Sequence, residues 1–154
     1  MEILFLNKRD TSLVVEIHRK CVSKTNSQKY SPDVIREWLG QISLNNLLNQ
    51  LGTSRWCVVR EGNRFVGFCQ YDIAYGELYQ IQVDPEYQGK GYGKHLYQFV
   101  ENEFNKYRKR QITLNSTLNA LPFYEKMGFK KVNDALYSLG RASIKMVRME
   151  KAIS

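Results

Sequence analysis

Cysteine, proline and histidine are all scarce in this chain, with three, three and two copies among 154 residues. Cys21, Cys57 and Cys69 are odd in number and lack paired spacing. That excludes a disulfide framework, offers no zinc motif and suits a reducing, cytoplasmic compartment. His18 and His95 are too few for a multi-histidine metal centre, so no metal site is expected. Pro32, Pro85 and Pro122 mark no linker, and there is no low-complexity tract or internal repeat. No apolar run approaches the ~20 residues of a membrane-spanning helix. The opening Met1–Arg9 has no basic n-region and too short an apolar stretch for a signal peptide, so it reads as a strand.

Acidic residues are also in the minority, at 15 against 23 lysines and arginines, for a formal net charge of +8. Such a balance invites a polyanion. The densest basic group, Lys106, Arg108, Lys109 and Arg110, falls at a predicted helix end, where cations complement the helix dipole. Most aromatics occupy periodic, core-like positions, which disfavours nucleic acid as a partner. A phosphate-rich cofactor fits the charge equally well. Hydrophobic residues at 43% and charged residues at 25% describe one globular domain over 1–154.

Strands are expected over 2–8, 55–60, 64–73, 77–83, 112–115, 129–132 and 144–150. A helix carries Leu13, Val14, Ile17 and Cys21 on one face. Ser31-Pro32 starts a second, with Ser as N-cap and Pro at the first helical position, and a leucine-rich stretch follows it. Leu96, Phe99, Val100 and Phe104 stripe a third helix, and Ala120–Met127 is a short fourth. Consecutive hairpins followed by a strand–helix–strand crossover imply an α/β fold. Its mixed central sheet has about seven strands and helices on both faces, and it is not doubly wound.

The chemistry concentrates in Gln88-Gly89-Lys90-Gly91-Tyr92-Gly93-Lys94, between a strand and a helix. Alternating glycines let backbone N–H groups approach an anion without Cβ interference. The helix start adds unpaired N–H groups and the positive end of a dipole. The arrangement is a pyrophosphate cradle with Lys90 and Lys94 at its rim. It is not a P-loop, since Gln88 replaces the first Gly and His95 the Ser or Thr. Nor is it a dinucleotide fingerprint, since Lys94 replaces the third Gly.

This loop resembles the Gln/Arg-x-x-Gly-x-Gly/Ala signature of the GNAT superfamily of N-acetyltransferases. Ala120-Leu121-Pro122-Phe123-Tyr124-Glu125-Lys126-Met127-Gly128-Phe129 is similar to its second signature, and the order of elements is the family's order. The resemblance implies acetyl-CoA as cosubstrate, lying between the fourth and fifth strands. Amides from Gln88 to Lys94 would hold the pyrophosphate, and backbone groups at Gln82 and Val83 the pantetheine arm. Asn115 and Asn119 are candidate cofactor contacts, with strand-end and helix-capping roles as their alternatives. Tyr124 matches the family's general acid. Its ordinary pKa of ~10 lies near the ~8.5 of a thiol, so proton transfer would be nearly balanced. Glu77 matches the general base of the lysine-acetylating branch, with water as the alternative. Simple strand alternation places Glu77 with Tyr79, Ile81 and Val83, although the family's bulge in this strand unsettles that parity. The acceptor is an amine on a small molecule or peptide, held near 24–32 and 133–141. A homodimer is left open, and the rival reading is an acyl-CoA sensor that does not turn over.

Overall fold

A computed structural model describes residues 1–153. The strands are β1 (Glu2–Phe5), β2 (Arg55–Glu61), β3 (Arg64–Asp72), β4 (Glu77–Val83), β5 (Gln111–Ser116), β6 (Lys130–Leu139) and β7 (Ala142–Ala152). The helices are α1 (Thr11–Lys24), α2 (Pro32–Gln41), α3 (Leu44–Gln50), α4 (Tyr92–Lys106) and α5 (Leu121–Lys126). One seven-stranded sheet has the order β1-β2-β3-β4-β5-β7-β6, and only the β4–β5 contact is parallel. It is the mixed α/β sheet that the pattern of hairpins and one crossover predicts. No helix among the described residues is long and apolar enough to cross a membrane.

Period-two alternation in β2 divides the core. Trp56 and Val58 pack with Val14, Ile17 and Leu47 on one face of the sheet. Cys57 and Val59 pack with Leu96, Val100 and Phe104 on the other. Both faces are covered, so the central strands read as nearly continuous apolar runs.

Several boundaries depart from the sequence reading for local reasons. The first strand stops at Phe5, because the Asn7 side chain accepts from Arg9 N–H and caps a 3-10 turn over Lys8–Asp10. The leucine-rich stretch is a separate helix, α3, making three helices before β2. Ile42 is extended at the end of α2, and Ser43 Oγ accepts the Asn46 N–H at 3.1 Å to start α3. β6 reaches Leu139 rather than 132, pairing with β7 through a turn at Gly140, whose φ is +58°.

One irregularity positions the site. Gln70 opposes Gln80 and Tyr71 opposes Leu78, which leaves Tyr79 as an extra, bulged residue of β4. Leu78 thereby joins Ile81 and Val83 on the α4 side. Glu77, opposite Asp72, moves to the other face with Gln80 and Gln82. The parity expected from simple alternation is thus reversed.

Candidate active site

β4 and β5 share one registered pair, Glu77 with Thr113. Around it the Gly76 carbonyl accepts from the Thr113 N–H at 3.0 Å and from its hydroxyl at 3.2 Å. Arg148 of β7 closes the point, its Nη1 lying 2.7 and 3.0 Å from the two Glu77 oxygens. Beyond it the strands part, and β4 runs on to Val83 without a ladder partner on that edge. Backbone groups there need other partners. The Val83 carbonyl accepts from the Gln88 amide at 3.0 Å and the Cys21 thiol at 3.1 Å. The Gln82 carbonyl faces β3, only 2.8 Å from where a Cβ on Gly67 would lie. Alternation along the strand therefore turns the Ile81 amide, rather than that of Gln82, toward the wedge alongside Val83.

Two cavities open into this wedge. One, of about 480 Å³, follows the glycine loop and α5. The other, of about 620 Å³, lies beneath α2 and the β6–β7 hairpin. They share Asn26, Ile81, Gln82, Asn119, Ala120 and Tyr124.

In the first cavity Gly89 and Gly91 have φ of +79° and +89°, a region that side chains disfavour. A Cβ on either would meet no protein atom within 4 Å, so both face open space. Gly91 is the N-cap of α4 and no side chain caps the helix. Its first amides, at Tyr92, Gly93 and Lys94, therefore have no intrahelical partner. Gly93 serves packing, since a Cβ there would approach the Phe123 ring to 3.2 Å. Gln88 ties the loop to α1 through Thr25 Oγ1 at 3.2 Å. Lys94 lines the cavity, while Lys90 lies over the Tyr87 ring at 5.2 Å, outside the lining. The Tyr92 hydroxyl donates to Glu61 at 3.2 Å, which leaves only its backbone to the loop.

Asn119 donates its amide to Asn26 Oδ1 at 3.1 Å. The complementary atoms, Asn119 Oδ1 and Asn26 Nδ2, are buried without partners. An orphaned acceptor and donor at the cavity junction ask for a ligand that carries amides. Asn26 escaped the sequence reading because a lone Asn in a loop carries no spacing signal; Lys126, a further cation lining this cavity, stands at an unspecified position of the second signature, where residue type carries no cue. Asn115 belongs to the second cavity alone. Its Oδ1 accepts from the Tyr137 hydroxyl at 3.0 Å and from Arg148 at 3.4 Å.

Tyr124 stands where the cavities meet. Phe123 and Phe129 clamp its ring edge-to-face, with centroids 5.2 and 5.7 Å away. Burial pushes its phenol well above the ordinary value, the charge of the Cys69 thiolate form adds to this, and an Ile81 backbone hydrogen bond opposes it. The phenol therefore stays protonated at physiological pH and is a hydrogen-bond donor. The near balance with a thiol expected from the free residue does not hold.

Four glutamines form a chain along the second cavity. Gln82 donates to Gln80 at 3.1 Å, Gln80 to Gln70 at 2.9 Å, and Gln70 to Gln50 at 3.0 Å. The Tyr30 hydroxyl straps the far wall, donating to the Lys145 carbonyl at 2.6 Å and accepting from the Leu118 N–H at 2.9 Å. Glu77, held by Arg148, lines neither cavity.

A parallel strand pair that opens beside a glycine cradle and a buried tyrosine defines a class, and comparison with known proteins gives its name. The chain belongs to the GNAT acetyltransferase family, whose Acetyltransferase (GNAT) domain model matches residues 26–153. It is an acyltransferase that uses acetyl-CoA as cosubstrate. The uncharacterized N-acetyltransferase YafP of Escherichia coli K12 is 29% identical over 124 residues, covering 80% of this chain and 77% of that protein. The PaiA N-acetyltransferase of Thermoplasma acidophilum, solved in complex with coenzyme A, is 25% identical with a TM-score of 0.80, over 99% of this chain and all of that one. A GCN5-related N-acetyltransferase of Rhodopseudomonas palustris, named Aminotransferase, Class-II, shares the fold. Its TM-score is 0.93 at 16% identity, over 99% and 95% of the two chains.

Proposed function

We propose that the chain transfers the acetyl group of acetyl-CoA to a primary amine by direct attack, with both substrates bound at once. The observation that carries this reading is the meeting of two cavities at Tyr124 and Ile81. The glycine-loop cavity fits the cosubstrate. Open space before Gly89 and Gly91 suits a pyrophosphate, and the unpaired Asn26 and Asn119 atoms suit amides of a pantetheine arm. The amides of Gln88 to Lys94 hold the phosphates, and Lys94 adds charge; Lys90 contributes through the loop backbone. When bound, acetyl-CoA supplies an activated thioester carbonyl and a thiolate leaving group.

The residues of the chain supply the rest. The Ile81 and Val83 backbone groups orient the extended arm along the free edge of β4 and offer an N–H to the carbonyl oxygen as it gathers charge. Tyr124, protonated and clamped, donates its hydrogen bond to the departing sulfur. The phenol releases its proton reluctantly, so this bond stabilises the thiolate more than it neutralises it. The amine approaches from the second cavity, where the amides of Gln80 and Gln82 position it and water carries away its proton. Glu77 fixes the point of strand divergence. Its oxygens are engaged by Arg148 rather than free to accept a proton from the amine. Asn115 braces Tyr137 and Arg148 on the amine side.

The test is thiol release from acetyl-CoA in the presence of a broad panel of amines, with product mass as confirmation. Turnover with at least one amine is expected. Acetyl-CoA binding without turnover across the panel would instead establish a sensor.

A further inference from the structure

The second cavity holds an electrostatic mismatch. Of 23 lysines and arginines in the chain, none lines it. Burial pushes the His18 imidazole down to about 4, so it adds no positive charge at neutral pH. The lining does include one carboxylate, Asp72, which is only 8% exposed. Its Oδ1 accepts the Tyr75 N–H at 3.1 Å, and it forms no ion pair among the described residues. Its neighbour across the strands, Glu77, has Arg148. A buried carboxylate without a counter-charge is costly, and proteins seldom keep one without a use.

Two tyrosines stand beside it on the cavity wall, Tyr75 at 81% exposure and the bulged Tyr79 at 44%. A carboxylate flanked by open aromatic faces is a receptor for a cation. Asp72 also borders a smaller recess that contains Arg55 and Lys109. Arg55 is engaged there by Glu103 at 3.4 Å and the Tyr107 hydroxyl at 3.1 Å, and Lys109 by the Ala74 carbonyl at 3.4 Å.

We infer that Asp72, Tyr75 and Tyr79 form a second-cation subsite, and that the preferred acceptor is an amine bearing another cationic centre. This rests on the reading of the second cavity as the acceptor site. Asp72 lies opposite Glu77, and Ile81 is four residues further along β4. At a strand rise of about 3.3 Å per residue, shortened by the bulge, the two ends of the site are roughly 10 Å apart. The reacting nitrogen sits at Tyr124 and the second cation at Asp72.

The experiment compares hexamethylenediamine and octamethylenediamine with n-hexylamine, n-octylamine and the eight-carbon ω-amino carboxylic acid, by thiol release at saturating acetyl-CoA. A charged hydrogen bond at this depth predicts kcat/KM for the diamines at least about tenfold above the monoamines, with the amino acid poorest. Asp72→Asn is expected to bring the diamine-to-monoamine ratio close to unity. Acetyl-CoA affinity, measured calorimetrically in the same variant, reports its fold, because Asp72 does not border the glycine-loop cavity. Should Asp72→Asn fail to fold, Tyr75→Ala at an exposed position is expected to lower the same ratio several-fold. Equal kcat/KM for diamines and monoamines, or a ratio that persists in Asp72→Asn, overturns the subsite and leaves the acetyl-transfer reading standing. Acetyl-CoA binding with no amine acetylated overturns both.

Discussion

Glu77 and Thr113 are the sole registered pair between β4 and β5, and Arg148 grips the Glu77 carboxylate at that point. The pair is the apex of the wedge on which both cavities depend. Removing its cation has a structural cost before it has a chemical one. Arg148→Ala is expected to lower stability by on the order of 2 kcal/mol, less than for a fully buried pair because the Arg148 side chain remains 30% exposed. Urea unfolding measures this. Glu77→Gln is expected to leave the pH dependence of kcat/KM where it is. A displaced acidic limb in that variant would make Glu77 the base after all.

Tyr124→Phe removes the donor at the cavity junction while keeping the aromatic clamp of Phe123 and Phe129. Turnover is expected to fall by about 10²-fold, the lower range for a positioned proton donor. Acetyl-CoA affinity, held mainly by the loop, is expected to change less than about twofold. Unchanged kcat would remove Tyr124 from the mechanism.

Gly91→Val places a β-branched side chain at a φ of +89°, inside the open space of the cradle. Acetyl-CoA binding is expected to vanish in calorimetry while far-UV circular dichroism stays native. The backbone strain alone costs about 1–2 kcal/mol. Retained affinity would mean that the phosphates lie elsewhere.

The sequence made the glycine loop legible because backbone conformation there depends on residue type. Gly89 and Gly91 have positive φ, and the glycine spacing marks them. Tyr124 was legible through its motif, and the mixed sheet through the order of hairpins and one crossover. The face of Glu77 was not legible in β4 itself, because a bulge at Tyr79 depends on pairing with β3; the family resemblance pointed to a bulge but not to its position. Arg148 lies 71 positions from its partner, and Asn26 lies 93 from Asn119, separations that no local pattern reports. Gln82 illustrates a finer limit: its place in β4 was readable, but not that its carbonyl faces β3 while its side chain joins the glutamine chain.

His18 predicts the acid sensitivity of the fold. Burial lowers its imidazole to about 4, below the ~6.5 of an unfolded chain. Protonation then favours the unfolded state, so the contribution is complete above pH 6.5 and is lost as pH falls toward 4. The loss is at most about 3 kcal/mol. Chemical unfolding at pH 7 and pH 4.5 measures it, and His18→Asn is expected to flatten the difference. Asp84 acts lower on the scale. Burial raises its carboxyl, but the Glu86 N–H, Lys20 and Arg64 together bring it below the ordinary value, so its contribution disappears only as pH drops through that lowered range.

The most direct test of the two-cavity account is a calorimetric titration of acetyl-CoA into the protein at moderate salt, with ATP and NAD as controls. Saturable binding of one acetyl-CoA per chain is expected, and none of either control. Absence of acetyl-CoA binding, or equal binding of ATP, would contradict it.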